Sequence, residues 1–382
     1  MDNGDTQFMV TRKIRFYPNK EQKVLFKKCF DTHRYFYNKT IAFLKKEKVS
    51  LNLCALRNKI MKTDAELNLS EKWQSEIPFD TRQLAIKEAI GSYKSSLALL
   101  KNKQITHFNH KFKHKKDTIQ IFHVDKSAYK NNKIFVRRLG KEKSNIRLRK
   151  KYKKLLKNFL PNGIEHDFII QKTNTNKYYL IVSKKVKPEI LPKKQNQIAL
   201  DPGIRTFQTG YSPGGLILEC GKKELDKIRK LHEQIDNLKS LRTKGIQRLR
   251  RIFEKCTNIV NNLHRQVVSF LTKNFNEIYY PSFNTKNMLK RNHRKISPKT
   301  AREMQVFSFY RFKQLLQCVA KRRNTNVILV DEKYTTKTCG NCGIMNMIGS
   351  NKIYNCTTCH VKLSRDINAA RNIFMKNVVL NQ

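Results

Sequence analysis

Two cysteine pairs, Cys339-x2-Cys342 and Cys356-x2-Cys359, flank residues 343–355 in the segment KTCGNCGIMNMIGSNKIYNCTTCH. Two thiolate knuckles on so short a hairpin fit one tetrahedral Zn2+, and four sulfur ligands close its coordination sphere, so the zinc they imply is structural. The run CTTCH, Cys356 to His360, also fits covalent haem attachment. That reading leaves the first pair without a task and needs an oxidising export route, which the start MDNGDTQFMV does not offer. Redox chemistry at one CxxC fails on the same pairing argument. The chain therefore carries a metal-stapled hairpin near its C-terminal end. The scattered Cys29, Cys54, Cys220, Cys256 and Cys318 read as buried thiols in a reducing compartment.

A lone acid follows the staple in SRDINAARNIF, and charge makes it conspicuous. Lys and Arg number 80 against 29 Asp and Glu, a formal net charge of +51. So much like charge repels itself until a polyanion neutralises it, and nucleic acid is the natural partner because each phosphate contact releases a counterion. A basic membrane-surface protein would show a strongly amphipathic helix beside its charge run. No apolar run approaches the ~18 residues of a membrane span, so no membrane partner is expected.

Periodicity orders the rest of the chain. FMVTRKIRFYP alternates like a strand up to Pro18, residues 20–47 have helical spacing, and a further helix covers about 80–101. Between about 105 and 187 lie β-like runs, TIQIFHV, KIFVRRL, HDFIIQK and KYYLIVSKK, a pattern that predicts a small barrel or sheet joined by the first strand. PEILPKKQN reads as a linker. QIALDPGIRTFQTGYSPGGLILEC then reads as a strand ending in Asp201 and a two-strand meander. Residues 222–255 carry a near-heptad seam from Leu225 to Leu241, with Gly245 as a break, and predict a helical hairpin. A helix at 257–274, the strand EIYYP, a helix at about 299–322, the strand NVILVDE and a last helix after Ser364 complete the series. Strand, hairpin, helix, strand, helix, strand, helix is the element order of an RNase H-like domain.

Phosphodiester cleavage stabilises charge on the attacking and leaving oxygens, a task for two divalent metals about 3.5–4 Å apart held by carboxylates. Mg2+ takes hard oxygen ligands and keeps several waters, so three acids suffice. Asp201 ends the first strand of that domain, Glu332 ends its last, and Asp366 sits in the first turn of the final helix, where its charge suits the helix dipole. Each also has a plainer reading: turn former, solvated strand end, helix-start residue. The zinc hairpin lies between Glu332 and Asp366, so both its ends enter the expected site.

LDPGIRTF, VDEKYTTKTCGNCG, YNCTTCH and SRDINAARNIF resemble the RuvC and zinc-ribbon motifs of TnpB, the OrfB-type transposon proteins. The similarity extends to DTHRYFYNKTI and SFYRFKQLL and so covers most of the chain. The resemblance implies an RNA-guided DNA endonuclease whose acids map onto Asp201 and Asp366. Where TnpB usually carries the middle acid after the fourth strand, this chain reads IYYPSFNT. Glu277 stands at the wrong end of that strand, and Glu332 is the available substitute, with Asp331 the runner-up. This relocation, with PSF...KNMLKR and VDEKYTTKTC, is similar to Fanzor, the eukaryotic and large-virus branch.

The layout implied is a multidomain α+β chain. A β-barrel wedge domain comes from 1–18 and 105–190, with a helical recognition domain at 19–104. A RuvC α/β nuclease follows at 196–335, carrying a helical hairpin at 222–274, then a zinc ribbon at 336–362 and a C-terminal RuvC helix at 363–382. The implied cofactors are two catalytic Mg2+ on Asp201, Glu332 and Asp366, and one structural Zn2+ on Cys339, Cys342, Cys356 and Cys359. The implied partners are a structured guide RNA encoded beside the gene and target double-stranded DNA, bound by a monomer next to a short flanking motif. The basic runs KFKHKK and RRLGKEKSNIRLRKKYKKLLK suit guide-RNA contact or nuclear import, which places the protein in the nucleus of a eukaryotic host or a virus's host, otherwise in cytoplasm. The alternatives are a non-cleaving RNA-guided DNA binder and a cut-and-paste transposase. Aromatics of HRYFYN either stack on bases or belong to the core, and His264 reads as a packing histidine.

Overall fold

The computed structural model describes residues 7–46, 50–63, 65–189, 191–192, 195–240, 245–283, 285–290, 296–349 and 351–379. Leu241 of the seam, the start of the N-terminal segment, part of the linker at 190 and 193–194, Asn284 and the 291 end of KNMLKR, and the last three residues lie outside them. Contacts divide the chain into two compact units, Met9–Val186 and the part from Lys187 onward.

The first unit holds strand β1 (Phe8–Phe16), helices α1 (Lys20–Lys46), α2 (Leu53–Ile60) and α3 (Phe79–Lys101), strand β2 (Ile119–Val124), and the two-residue strands β3 (Tyr129–Lys130) and β4 (Lys133–Ile134). Helices α4 (Val136–Lys143) and α5 (Lys150–Phe159) and strands β5 (Phe168–Thr173) and β6 (Tyr178–Val186) follow. A reciprocal cap starts α1: Gln22 N donates to Asn19 Oδ1 at 2.7 Å and Asn19 N to Gln22 Oε1 at 3.2 Å. The helix then buries two successive apolar patches. Phe26, Cys29 and Phe30 pack on the sheet, while Phe36 and Leu44 pack on α2 and α3.

The expected barrel is not formed. The strands make an open sheet in the order β1-β6-β5-β2, with no closing pair among the described residues. Four strands are too few to enclose their own side chains, a task that takes about eight. KIFVRRL, read as a strand, pairs over two residues only. Phe135 then takes a left-handed conformation (φ 52°), buries its ring against the sheet core, and sends the chain into α4. The basic run after it contains helix α5 rather than strand or coil.

The second unit is built on β7 (Gln195–Pro202), β8 (Gln208–Tyr211) and β9 (Ile217–Cys220), followed by α6 (Lys222–Ser240), α7 (Ile246–Asn274) and β10 (Phe275–Pro281). Next come α8 (Thr285–Met288), α9 (Pro298–Phe307), α10 (Phe309–Arg322), β11 (Asn326–Val330), β12 (Ile353–Asn355), β13 (Lys362–Ser364) and α11 (Arg365–Val379). The five-stranded sheet has the order β11-β10-β7-β8-β9. β7, β10 and β11 run parallel, and β8 and β9 complete an antiparallel meander. The element order is the one read from the sequence, with two changes. The seam does not stop at 255, because Ile252, Cys256, Val260, Leu263, Val267 and Leu271 continue one buried face, so α7 is a single helix. The helix expected over 299–322 breaks at Ser308, which is left-handed (φ 49°). That break aims both Phe307 and Phe309 at Phe207, 5.2 and 5.3 Å away between ring centres, which an unbroken helix would splay apart.

Alternation along the strands sorts the two faces. Ile198, Leu200, Ile278 and Tyr280 face the core made with α7, α9 and α10. Ala199, Tyr279, Ile328 and Val330 face Ile373 and Phe374 of α11. His264, as expected of a packing residue, is buried, stacks on Phe207 and lies 2.8 Å from the Phe307 carbonyl through Nε2. Gly221 closes β9 into α6 with φ 92°, and a Cβ there would meet Phe207 Cβ at 2.5 Å. Of the scattered cysteines, Cys29 and Cys256 are buried as expected, but Cys54 and Cys318 are exposed, because each falls on the solvent side of its helix.

Candidate metal centres

The alternation that orders the core also aims the acids. Asp201 follows Ala199 by two residues on β7 and so emerges on the face covered by α11. Strand register puts Ala199, Tyr279 and Ile328 level, so Asp201 is level with Pro281 and Val330. Glu332 lies two residues past Val330, beyond the end of β11. Asp331 is exposed and pairs with Lys376 Nζ at 3.0 Å, and that ion pair and its hydrogen bonds hold its carboxyl below the usual range. Asp366 occupies the first turn of α11.

Burial, then the charges of Asp366 and Glu332, push the Asp201 carboxyl up to about 8. Glu332 is pushed up as well, by burial and by Asp331. Asp201 thus feels the charge of both other predicted acids, but among the described residues the three carboxylates do not gather within 4.8 Å of one another as the four cysteines do. β10 lies between β7 and β11, so two strand spacings of about 4.8 Å each separate the strand ends that lead to Glu332 and Asp201. Glu277 is excluded from the group. It is level with Gln197, four residues back along β7, and takes hydrogen bonds from Gln197 Nε2 at 2.8 Å and Tyr279 Oη at 3.1 Å. A cavity of about 720 Å3 borders Asp366, with Arg205, Lys222, Arg229 and Lys352 in its wall.

The cysteine hairpin folds as two matching knuckles. All four sulfurs lie within 4.8 Å of one another, and the Cys339–Cys359 and Cys342–Cys356 pairs are each 3.6 Å apart. A zinc with Zn–S bonds of about 2.3 Å requires tetrahedral edges of about 3.8 Å, so the donor set and spacing fit Zn2+. Gly343 (φ 77°) follows the first knuckle in the left-handed conformation, and His360 (φ 56°) does so after the second. Cys356 and Cys359 of CTTCH both belong to this four-sulfur group, which the haem alternative leaves unexplained. The backbone N–H of Cys359 is the main cause that draws the Cys356 thiol down to about 6, towards the thiolate a metal needs.

A further group of metal-type ligands is His33, Glu88 and His123 in the first unit. Here the cation is supplied from within: Lys113 Nζ donates to both Glu88 oxygens at 2.7 Å. Burial alone would raise the Glu88 carboxyl, but His123, His33 and Lys113 outweigh it and hold it well below its usual range. This is an internal ion-pair network. Nothing in the sequence pattern singled it out, because its members come from α1, α3, the loop after it and β2.

Among curated proteins, TnpB-like protein L770 of Acanthamoeba polyphaga mimivirus is 31% identical over 396 residues, covering 97% of this chain and 74% of the relative. The chain belongs to the TnpB-like family. In this TnpB-like protein, residues 309–373 match the family model described as Cas12f1-like, TNB domain, a span that includes Glu332, the four cysteines and Asp366. Residues 9–47 match a model described as a helix-turn-helix domain, yet the described residues there form one strand and one long helix. The CRISPR-associated endodeoxyribonuclease Cas12f1 of Sulfoacidibacillus thermotolerans is 33% identical over 81 residues, 20% of this chain and 19% of that protein. The solved mini-RNA-guided endonuclease CRISPR-Cas_phi3 superposes with a TM-score of 0.48 at 11% identity, covering 97% of this chain and 92% of that one.

Sequence reading also missed Asn368 and Asn372. Both are buried on α11, and the available signal was two poor helix formers spaced one turn apart inside a helix.

Proposed function

We propose that this TnpB-like protein is an RNA-guided DNA endonuclease with a single site formed by Asp201, Glu332 and Asp366. The observation that supports the reading is Asp201, half-buried at the end of β7, where the charges of Asp366 and Glu332 raise its carboxyl against the opposing pull of Arg365. Such a cluster is unfavourable by itself and is relieved by an external divalent cation. Three carboxylates are the hard oxygen donors that Mg2+ takes. When bound, two such ions supply charge neutralisation for the attacking and departing oxygens of a phosphodiester.

The chain's own residues do the rest. Asp201, fixed on a central strand, sets one edge of the site. Glu332 approaches from the turn that follows β11. Asp366 closes the third side from α11. The cationic wall next to Asp366 holds the phosphates of the strand to be cut. Zinc on Cys339, Cys342, Cys356 and Cys359 staples the hairpin between the second and third acids.

Membership of the TnpB-like family and the match to a CRISPR-associated endodeoxyribonuclease support a guide RNA and target DNA as partners, bound by one copy of the chain, with the basic runs of the first unit on RNA. We assign the wedge role to 1–18 and 105–190, the recognition role to 19–104 and the RuvC role to 196–335 with 363–382. The displaced acid supports a reading nearest the Fanzor branch, and the basic runs of the first unit support one of work in the nucleus. Sequencing RNA that co-purifies with the full chain, then incubating the complex with a matching plasmid in Mg2+ or EDTA, tests the proposal. Mg2+-dependent double-strand cutting that Asp201→Ala abolishes is the expected result. A co-purifying RNA with target binding but no cutting gives the non-cleaving alternative, and joined DNA ends without any guide give the transposase.

A further inference from the structure

Helix α11 does more than carry Asp366. Asn368, fully buried, accepts a hydrogen bond from Gly340 N at Oδ1 (2.9 Å) and donates through Nδ2 to the Thr338 carbonyl (2.8 Å). Asn372, one turn later, donates through Nδ2 to the carbonyls of Thr335 (2.8 Å) and Thr338 (2.7 Å). Thr335 in turn donates through Oγ1 to the Glu332 carbonyl at 2.9 Å. A continuous set of hydrogen bonds therefore runs from the backbone of Glu332, through Thr335 and the two asparagines, to the first zinc knuckle at Gly340.

The contact is close as well as polar. A Cβ on Gly340 would meet Asn368 Oδ1 at 2.9 Å and Asn372 Oδ1 at 3.2 Å. Only glycine lets this turn of CGNC lie on the helix. Asparagine is a poor helix former because its amide competes for backbone groups, and here that competition is turned outward onto a neighbouring loop. Losing either amide leaves buried backbone groups without partners, which costs about 1–3 kcal/mol per group.

We propose that Asn368 and Asn372 are positioning residues for divalent-metal binding. They register the Glu332-bearing turn and the first zinc knuckle against the helix that bears Asp366. The zinc hairpin then acts as a rigid spacer for the acids. The inference rests on the three-acid reading above and adds the residues that set its spacing. Outer-shell partners of metal ligands typically change affinity about 10–100-fold when removed, and a shift of about tenfold or more is expected here.

The test uses the full chain with its co-purified RNA and Mn2+ as the probe, followed by electron paramagnetic resonance, alongside zinc content and cleavage against Mg2+ concentration. Asn368→Ala and Asn372→Ala should weaken Mn2+ binding about tenfold and raise the Mg2+ needed for half-maximal cleavage, with one zinc per chain retained. Gly340→Ala should do the same by pushing the knuckle off α11 with both asparagines intact. Asn372→Asp, which keeps shape but loses both donors, should match the alanine variant. A purely structural role would lower the melting temperature and leave the metal midpoint unmoved; that result in the soluble variants, or wild-type behaviour of Asn372→Asp, overturns the inference. Asp201→Ala runs beside them. If it binds Mn2+ as tightly as wild type, the three-acid site itself is wrong and this inference falls with it. If only the Asn368, Asn372 and Gly340 variants bind normally, the positioning role alone is wrong.

Discussion

The molecule buries carboxylates in two places and treats them in opposite ways. Glu88 is encircled by Lys113, His33 and His123 and is held ionised. Asp201 is set beside Asp366 and Glu332 and is driven towards its neutral form. Both are half-buried acids in a chain with a large excess of cations. The difference is what each was given as a neighbour. A carboxylate supplied with its own cation holds elements together; under the function proposed above, one set among further carboxylates takes a cation from outside.

The sharpest way to break this contrast is to remove the acids from each place. Asp201→Ala or Asp366→Ala should lower cleavage by about 10³-fold or more, or about 4 kcal/mol in barrier, with guide and target binding unchanged. Plasmid cutting and filter binding read the two quantities. Retained cutting by either variant removes the functional half of the comparison.

Stability gives the converse. A raised carboxyl pKa in the folded state costs stability as pH climbs from about 3.9 towards the folded value of about 8. Asp201→Asn should therefore stabilise the protein in EDTA at pH 7, by up to about 4 kcal/mol, and should lose the melting-temperature increase that Mg2+ gives the wild type. Equal melting points with and without the substitution contradict it.

Glu88→Gln should act the other way. It leaves Lys113 half-buried without its partner, and breaking such a pair costs about 3 kcal/mol, the lower end for buried pairs because the Glu88 side chain is 21% exposed. Denaturant unfolding measures the loss. Cleavage per folded molecule should stay at the wild-type level.

The smallest effect, spread over a pH range, belongs to His33. Burial lowers its pKa to about 4, against about 6.5 when unfolded. The unfolded chain binds the proton first, so this contribution is complete above about pH 6.5 and is lost as pH falls towards 4. Its total is about 3 kcal/mol. His33→Gln should flatten the stability–pH curve in that window, and an unchanged slope counts against a neutral, buried His33.

What the sequence made legible follows the range of the interactions. The cysteine spacing and the strand ending at Asp201 are local, and their positions could be read directly. Glu332 and Asp331 both lie past the end of β11, where strand alternation no longer sorts side chains, and the pairing of Asp331 with Lys376 joins residues far apart in the chain. The barrel was misread because KIFVRRL is β-like by composition, while Phe135 turns out of the extended conformation to fill a distant core. The break at Ser308 has the same cause, since Phe207 collects rings from both sides of it. The Glu88 network and the Asn368–Asn372 clamp join residues far apart in the chain, and no window of sequence contains them. The left-handed position of His360, by contrast, was hidden only by a competing motif.

One arrangement has a mechanical corollary. Asp201 belongs to a hydrogen-bonded strand at the centre of the sheet, and Glu332 departs from a strand in that same sheet. Their separation is set by a lattice of backbone bonds that does not stretch. Asp366 alone rides on a helix, and Asn368 and Asn372 tie that helix to the turn after Glu332. Any change in the distances among the three oxygen donors must then carry α11 and that turn together, or break those bonds.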